Sequence, residues 1–548
     1  MTDMERTAPT PGSKSQRVMY AVSGVLAAAA GMAVGHLVAA FVNPAASPVL
    51  AVGSTVIDAT PTPVKEWAVQ NFGTADKPIL LSSVTLVVVL AAAAIGLVSR
   101  TRPSLANILL VGMATLAGLA AWFRPASAPF DVVPAFVTAI IGLVTIAGLR
   151  ALIPNLPTPG AQTTQPAPTP DRGTTKPDAK PESPLDHTAY AKGTAGAPAR
   201  RNFLLGAAGV TVGAAALGAL GQKLAVPATL PSSVALPKPQ NTLQALPTGI
   251  EGKVKGVSQF RTPVKEFYRV DTALVIPRID VDNWKLEIDG KVDNKLTITF
   301  DELLTMPMIE KDITLNCVSN EVGGPYISST RWLGVRVRDL LERAGVQDGV
   351  DQILSESTDG MTISTPIEAL TDDRDALIAV AMDGEPLPAR HGFPARLVTP
   401  GLYGFVGATK WLTKLTATTY AAEQAYWTKR DWLTDGTVKT QARIDTPAGL
   451  ATYDAGKIAV GGVAWAQQRG IEEVEVRVDD GEWQKATLGP DGGTDYWRQW
   501  YWIWDAKPGR HDLTVRAKDG TGEFQTEKRA DPFPGGASGW HSIVVIIS

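Results

Sequence analysis

Five stretches of about 18 or more apolar residues constrain this chain before anything else, because a bilayer-crossing helix needs a run of that length. They lie at about Val18–Val42, Ile79–Val98, Leu105–Phe123, Val132–Leu149 and Phe203–Leu220. Lysine and arginine then orient them, since basic residues collect on the cytoplasmic side. Arg6, Lys14 and Arg17 precede the first run, Arg100 and Arg102 fill the turn between the second and third, and Arg150 to Arg201 fall between the fourth and fifth. The other side carries Lys65, Lys77 and Arg124 in its short loops. The expected topology has a cytoplasmic N-terminus (1–17), four transmembrane helices (18–150), and a fifth span within 200–222. Everything after it lies on the extracytoplasmic face of a multi-pass cell-membrane protein.

Residues 151–199, rich in Pro, Thr, Ala and Gly, cannot bury enough apolar surface to fold and read as a disordered cytoplasmic linker. Arg200–Arg201 ahead of a moderately apolar run has two readings: a twin-arginine translocation signal, or ordinary flanking charge. No intramembrane charge cluster marks the first four spans as more than an anchor.

The remainder reads as two soluble domains. Short strands and helices alternate from about Gln259: Leu286–Gly290 alternates into a turn, and Arg336–Gly345 has helical spacing. This pattern argues an α+β domain. From about Thr446 strands dominate, with Val474, Val476 and Val478 alternating and turns at Asp480–Gly481 and Asp519–Gly520. A β-sandwich of Ig-like type is expected over 446–548. Its Trp500, Trp502 and Trp504 share one face, suited to a core or to a subunit interface.

The formal net charge is −3, and no basic stripe suited to nucleic acid is present. A single cysteine, Cys317, excludes a disulfide within the chain, a Cys-rich zinc site and a protein-held iron–sulfur cluster. Of five histidines only His36 lies in an apolar run, so a haem held by two membrane histidines of this chain is not expected.

Cys317 ends the alternating stretch Asp312–Asn316 and precedes the Gly-rich turn Ser319–Gly324. A thiolate at a strand end suits a soft metal; a buried structural thiol is the alternative. Farther on, His391–Gly392–Phe393–Pro394–Ala395–Arg396 leads through Pro400–Gly401 to Lys410–Trp411. Arg396, Lys410 and His391 could hold a phosphate, or form surface ion pairs around a hairpin.

Together these segments resemble the sulfite oxidase family of molybdopterin-dependent oxidoreductases, in its membrane-anchored bacterial form. Thr314–Asn320 is similar to the family's molybdenum-cysteine motif, and His391–Arg396 with Lys410–Trp411 to its pterin-phosphate segment. Phe267–Tyr268–Arg269 sits where the family has an aromatic-Arg pair facing the pterin, and Trp540–His541 resembles the end of its dimerisation domain. The resemblance spans about residues 260–548. It implies a molybdopterin-binding catalytic domain at 223–445 and a dimerisation domain at 446–548. It further implies molybdenum held by one pterin and Cys317, with Tyr268, Arg269, His391, Arg396 and Lys410 around the cofactor, in an enzyme for two-electron oxygen-atom transfer. A small-molecule substrate, an external electron carrier (a cytochrome or the quinone pool) and a homodimer follow as expected partners.

Two positions depart from the family pattern. Sulfite oxidases continue the Cys motif with Asn-Arg-Arg; here Asn320 precedes Glu321 and Val322. The family's active-site Tyr follows an Arg-Asp pair; here Trp432 follows Arg430–Asp431. Sulfite oxidation and S- or N-oxide reduction therefore both stay open, with Arg331 or Arg269 as compensating cations. The rival class is a non-enzymatic surface protein that binds through its β-sandwich and retains a degenerate molybdopterin domain.

Overall fold

The computed structural model describes residues 12–153, 197–224 and 234–548. The expected linker therefore lies, from residue 154 to 196, outside the described residues. Among the described residues five helices are long and apolar enough to cross a membrane: Lys14–Val42, Asp76–Val98, Pro103–Trp122, Pro129–Ala151 and Arg200–Leu224. They match the five runs in the sequence to within a few residues.

The chain divides into two compact units. The first holds the candidate spans and is cored by small and aliphatic side chains such as Ala27, Ala106, Leu110 and Ile146. Thr138 Oγ1 donates to the Gly31 carbonyl at 3.1 Å, a helix-to-helix bond that small neighbouring residues allow.

The second unit contains residues 234–548 together with 123–128, which lies between candidate spans, and 53–77, which runs from between the first two spans into the first residues of the second. The sequence reading treats these as plain loops. The structure instead has helices at Pro48–Ala59 and Thr62–Phe72.

The domain ahead of the C-terminal strands has two sheets among the described residues. One orders its strands Leu296–Thr299, Lys285–Gly290, Leu412–Thr418, Gln352–Ser357 and Thr362–Pro366, with a parallel pairing between Lys285–Gly290 and Leu412–Thr418. The other runs Ile309–Asn316, Ile327–Arg336, Leu377–Met382 and Glu385–Pro386, with Arg396–Val398 also against Leu377–Met382. The helix foreseen at Arg336–Gly345 spans Val337–Ala344, and Gly345 closes it in the left-handed conformation. Its buried Val337, Leu340, Leu341 and Ala344 join a core fed by both sheets.

The C-terminal domain sets four strands (Gln441–Thr446, Gly456–Trp465, Arg498–Ala506, Thr487–Leu488) opposite five (Thr452–Tyr453, His541–Ile547, Gly509–Asp519, Ile471–Val478, Gln484–Lys485). One core takes residues from both sheets, including Val460, Val474, Leu513 and Val545. Trp500 and Trp504 are buried in it and Trp502 packs against it. The tryptophan stripe thus fills this domain's own core, and it gives no argument for a subunit interface.

This second domain also supports the strand that carries the cysteine. Ile309–Asn316 is an edge strand, whose unpaired amides would otherwise need water. Thr314 N–H donates to Asp495 O at 2.9 Å, Gln467 Nε2 donates to Thr314 O at 3.1 Å, and Trp497 N–H donates to Thr314 Oγ1 at 2.8 Å.

Candidate molybdopterin site

Cys317 follows the last residue of that strand and is buried. Its N–H donates to Tyr326 O at 3.0 Å, which fixes the turn that follows it. Burial pushes the thiol above its usual range, while the Ser319 N–H and hydroxyl and the charge of Lys410 pull the other way. Metal coordination would remove that proton outright. Val318 packs into an aromatic wall with Tyr403 and Trp432. Tyr268 and Tyr326 lie on another side, their rings 6.5 Å apart. Burial raises Tyr268, Tyr326 and Tyr403 above the usual phenol range and holds each protonated.

Two side-chain atoms flanking the cysteine, Asn316 Oδ1 and Asn320 Nδ2, are buried without a hydrogen-bond partner among the described residues. Buried polar atoms are rarely left so, and this pair invites a polar group beside Cys317.

The His391–Trp411 segment folds inward, and it does not make a surface set of ion pairs. Arg396 is 5% exposed. It donates to His391 O at 3.1 Å and Ala408 O at 3.2 Å, and lies over the Trp332 ring at 5.2 Å. Burial lowers its pKa to about 10, with Tyr268 and Asp271 opposing. A guanidinium buried on carbonyls alone is costly unless an anion joins it.

Lys410 Nζ donates to Asp271 Oδ2 at 2.5 Å and Val270 O at 3.2 Å. Burial brings it down to about 8 against the pull of Asp271. The next residue, Trp411, has φ +52°. A tryptophan there is strained, and its indole N–H bond to Ala389 O at 2.8 Å holds it in place. Gly392, at φ +111°, lets the loop pass over Arg396 and Lys410, whose atoms lie 3.1 and 3.2 Å from where a Cβ would be.

His391 is buried, its ring edge-on to Phe267 at 5.6 Å. Burial first, then Arg396, Arg390 and Lys410, lowers its pKa to about 3. A neutral imidazole donates one hydrogen bond, and Nε2 lies 3.2 Å from the Val264 carbonyl to take it.

Arg269 pairs with Asp271 at 2.7 Å. Arg331 pairs with Asp312 at 2.8 Å and also donates to Leu243 O and Gln244 O. Both arginines considered as compensating cations are thus committed to carboxylates. Glu321 is exposed. Trp432 is buried among Phe405, Trp427 and Phe533, with ring centroids 5.4, 5.7 and 5.3 Å away.

The residue that sequence reasoning missed is Asp271. Only its position two residues beyond Arg269, on an extended segment, signals the pairing. Tyr326 and Tyr403 carried no signal of their own.

The oxidoreductase molybdopterin-binding domain matches residues 273–427 of this chain. Human mitochondrial sulfite oxidase is 30% identical over 297 residues, 45% of this chain and 53% of that protein. Residues 273–427 of this chain thus carry a molybdopterin-binding domain similar to that of the sulfite oxidases and nitrate reductases. The NADH nitrate reductase of Solanum lycopersicum is 29% identical over 335 residues, 49% of this chain and 36% of that protein. The chain thus spans about half the length of the sulfite oxidases it matches. The crystal structure of the sulfane dehydrogenase SoxCD from Paracoccus pantotrophus covers 52% of this chain and 80% of its own, at 24% identity and a TM-score of 0.46.

In this sulfite oxidase-like region the turn after the cysteine leans on the C-terminal domain. Gly323 has φ +83°, and a Cβ there would lie 2.3 Å from the His541 ring. His541 Nδ1 in turn accepts from Ile444 N–H at 3.0 Å. Gly323→Ala is expected to cost about 2 kcal/mol, from backbone strain and the clash together. Thermal melts check it, and the penalty should shrink when His541 is also replaced by Ala. An unchanged melting temperature for Gly323→Ala would disprove the contact.

Proposed function

We propose that this chain is a membrane-anchored, extracytoplasmic oxidoreductase that uses one molybdopterin-bound molybdenum for two-electron oxygen-atom transfer to or from a small molecule. The observation that carries the reading is the buried pair Arg396 and Lys410, with Asp271 the carboxylate that acts on both, in electrostatic reach of a buried strand-end cysteine. A pterin phosphate supplies the missing negative charge, and Cys317 supplies a protein ligand to the metal.

When bound, the cofactor supplies the two-electron redox chemistry and the transferable oxygen. The chain's residues do the rest. Arg396 and Lys410 bind the phosphate as a fork and a point charge. His391 gives Arg396 its carbonyl and packs the segment against Phe267. Tyr268, Tyr326 and Tyr403 wall the space around Cys317 and limit water. Because Arg269 and Arg331 are spent on carboxylates and Glu321 replaces a family arginine, a neutral S-oxide or N-oxide suits the site better than sulfite does. Electrons pass to or from an external carrier, a cytochrome or the quinone pool. The C-terminal domain, in this reading Ig-like, braces the cysteine strand.

The test is the composition of the purified full chain. About one molybdenum and one pterin per chain are expected, followed by turnover in a screen of S-oxides, N-oxides and sulfite. A chain that takes up neither molybdenum nor pterin when made in a host that synthesises the cofactor overturns the proposal in favour of a non-enzymatic surface protein.

Topology is part of the proposal. Residues 53–77, 123–128 and 234–548 fall in one compact unit. An alternating path through five spans would put all three on one side, opposite the N-terminus, which supports the orientation read from basic residues. A cofactor loaded before export requires a folded domain to cross, which suits a twin-arginine route for the fifth span at Arg200–Arg201. Replacing both by Lys preserves charge while changing the group read. The expected result is a catalytic domain shielded from protease in spheroplasts. A domain still exposed and loaded would mean the arginines serve only as flanking charge.

A further inference from the structure

The second compact unit recruits chain from between the candidate spans, and that segment reaches the cofactor side of the domain. Lys77 Nζ donates to Asp271 Oδ1 at 2.7 Å and to Ala273 O at 2.8 Å. Asp271 is the same carboxylate that holds Lys410 and Arg269. Its side chain is 8% exposed, and Lys410, Lys77 and Arg269 together outweigh its burial and drive its pKa far below the usual range. Three cations therefore meet on one nearly buried carboxylate, a local excess of positive charge.

The rest of the segment is fastened beside the same site. Gly73 lies against the Tyr326 hydroxyl, 3.6 Å from where a Cβ would be, and Tyr326 supplies the carbonyl that takes the Cys317 N–H. At the other end, Tyr426 donates its hydroxyl to Asp58 Oδ1 at 3.0 Å and accepts from Lys65 Nζ at 3.1 Å. Arg430 stacks over the Tyr426 ring at 3.5 Å and donates to the Asp58 carbonyl at 3.3 Å. Arg430, from the Arg-Asp pair that in the family precedes a tyrosine, here helps clamp a segment carried between spans.

We propose that Lys77 is a positioning residue of the cofactor site, and that residues 53–77 complete the domain that binds the pterin. This rests on the reading of Arg396 and Lys410 as phosphate ligands. Lys77 shares the charge of Asp271. Without it, that carboxylate is left to Lys410 and Arg269 alone, drawing Lys410 toward itself and lowering the net positive charge offered to the phosphate. The membrane half would then do more than anchor: it delivers a residue on which cofactor retention depends.

The experiment uses the full chain, extracted in detergent from a host that makes molybdopterin, as wild type, Lys77→Met, Lys77→Arg and Lys410→Met. The readout is pterin remaining per chain with time after removal of free cofactor. Lys77→Met is expected to lose pterin about tenfold faster than wild type, the effect of one charge-assisted hydrogen bond. Lys77→Arg should retain it like wild type, a rescue that a purely steric role would not give. Full retention in Lys77→Met alongside rapid loss in Lys410→Met overturns the inference and leaves the phosphate reading standing. Full retention in both overturns the two together. Should Lys77→Met fail to accumulate, the wild type decides. Acylation of Lys77, followed by peptide mass, should be several-fold faster in cofactor-free chain than in loaded chain, where the bound phosphate would hold Lys410, Asp271 and Lys77 together. Equal rates overturn the inference.

Discussion

Cys317→Ser is expected to abolish molybdenum binding and turnover while leaving the fold in place. The backbone bond from residue 317 to Tyr326 O survives the substitution, and the Ser319 N–H and hydroxyl that face the thiol can serve a serine hydroxyl equally well. The destabilisation should stay near 1 kcal/mol, the cost of burying a partly satisfied hydroxyl. Turnover should fall by at least about a thousandfold, roughly 4 kcal/mol of transition-state stabilisation. Molybdenum analysis, activity and a thermal melt on one preparation check the prediction. If the cysteine were only a small buried hydrophobe, Ser would cost stability and spare activity. Turnover at the wild-type level would refute its assignment as the metal ligand.

What the sequence made legible follows physical range. Candidate spans need only composition over a short window, so all five runs correspond to helices of sufficient length. Strands with a strict period of two, such as that around Val474–Val478, were readable for the same reason. Cys317 and the His391–Lys410 segment could be singled out because cysteine is unique in the chain and the glycines and cations cluster. Their burial could not: the same residues fit a surface hairpin until Trp332 and the Tyr268 side place Arg396 inside. The meeting of Asp271 with Lys77 was out of reach altogether, the two being 194 residues apart and joined only through tertiary structure. The tryptophan stripe was ambiguous by nature. Period two says that Trp500, Trp502 and Trp504 share a face, and only the second sheet says that the face is inward. The commitment of Arg331 to Asp312 was equally invisible, although it bears most directly on which substrates the site suits.

Arg396→Met should separate binding from stability in the opposite sense to an ordinary core substitution. The drop of the Arg396 pKa from 12.5 to about 10 corresponds to roughly 3 kcal/mol against its charged form. Methionine removes that penalty, fills much of the volume over Trp332, and strands the His391 and Ala408 carbonyls at about 1 kcal/mol each. The cofactor-free variant is therefore expected to melt no lower than cofactor-free wild type. Pterin affinity should fall about a hundredfold, the loss of a two-pronged charged contact to phosphate. Lys410 adds a pH signature in the wild type. With Asp271 opposing it, burial sets Lys410 at about 8, and a phosphate beside it would raise that value. The sign is then fixed: the Lys410 contribution is full below pH about 8 and is lost as pH rises through the higher, bound value. Pterin release should accelerate above that point in wild type, and this acceleration should be absent from Lys410→Met. Melts of the cofactor-free chains and release rates between pH 7 and about 10 check both halves. An Arg396→Met chain that keeps its pterin but melts several degrees lower would place Arg396 in the scaffold, and the buried charge would then need another explanation than an anion.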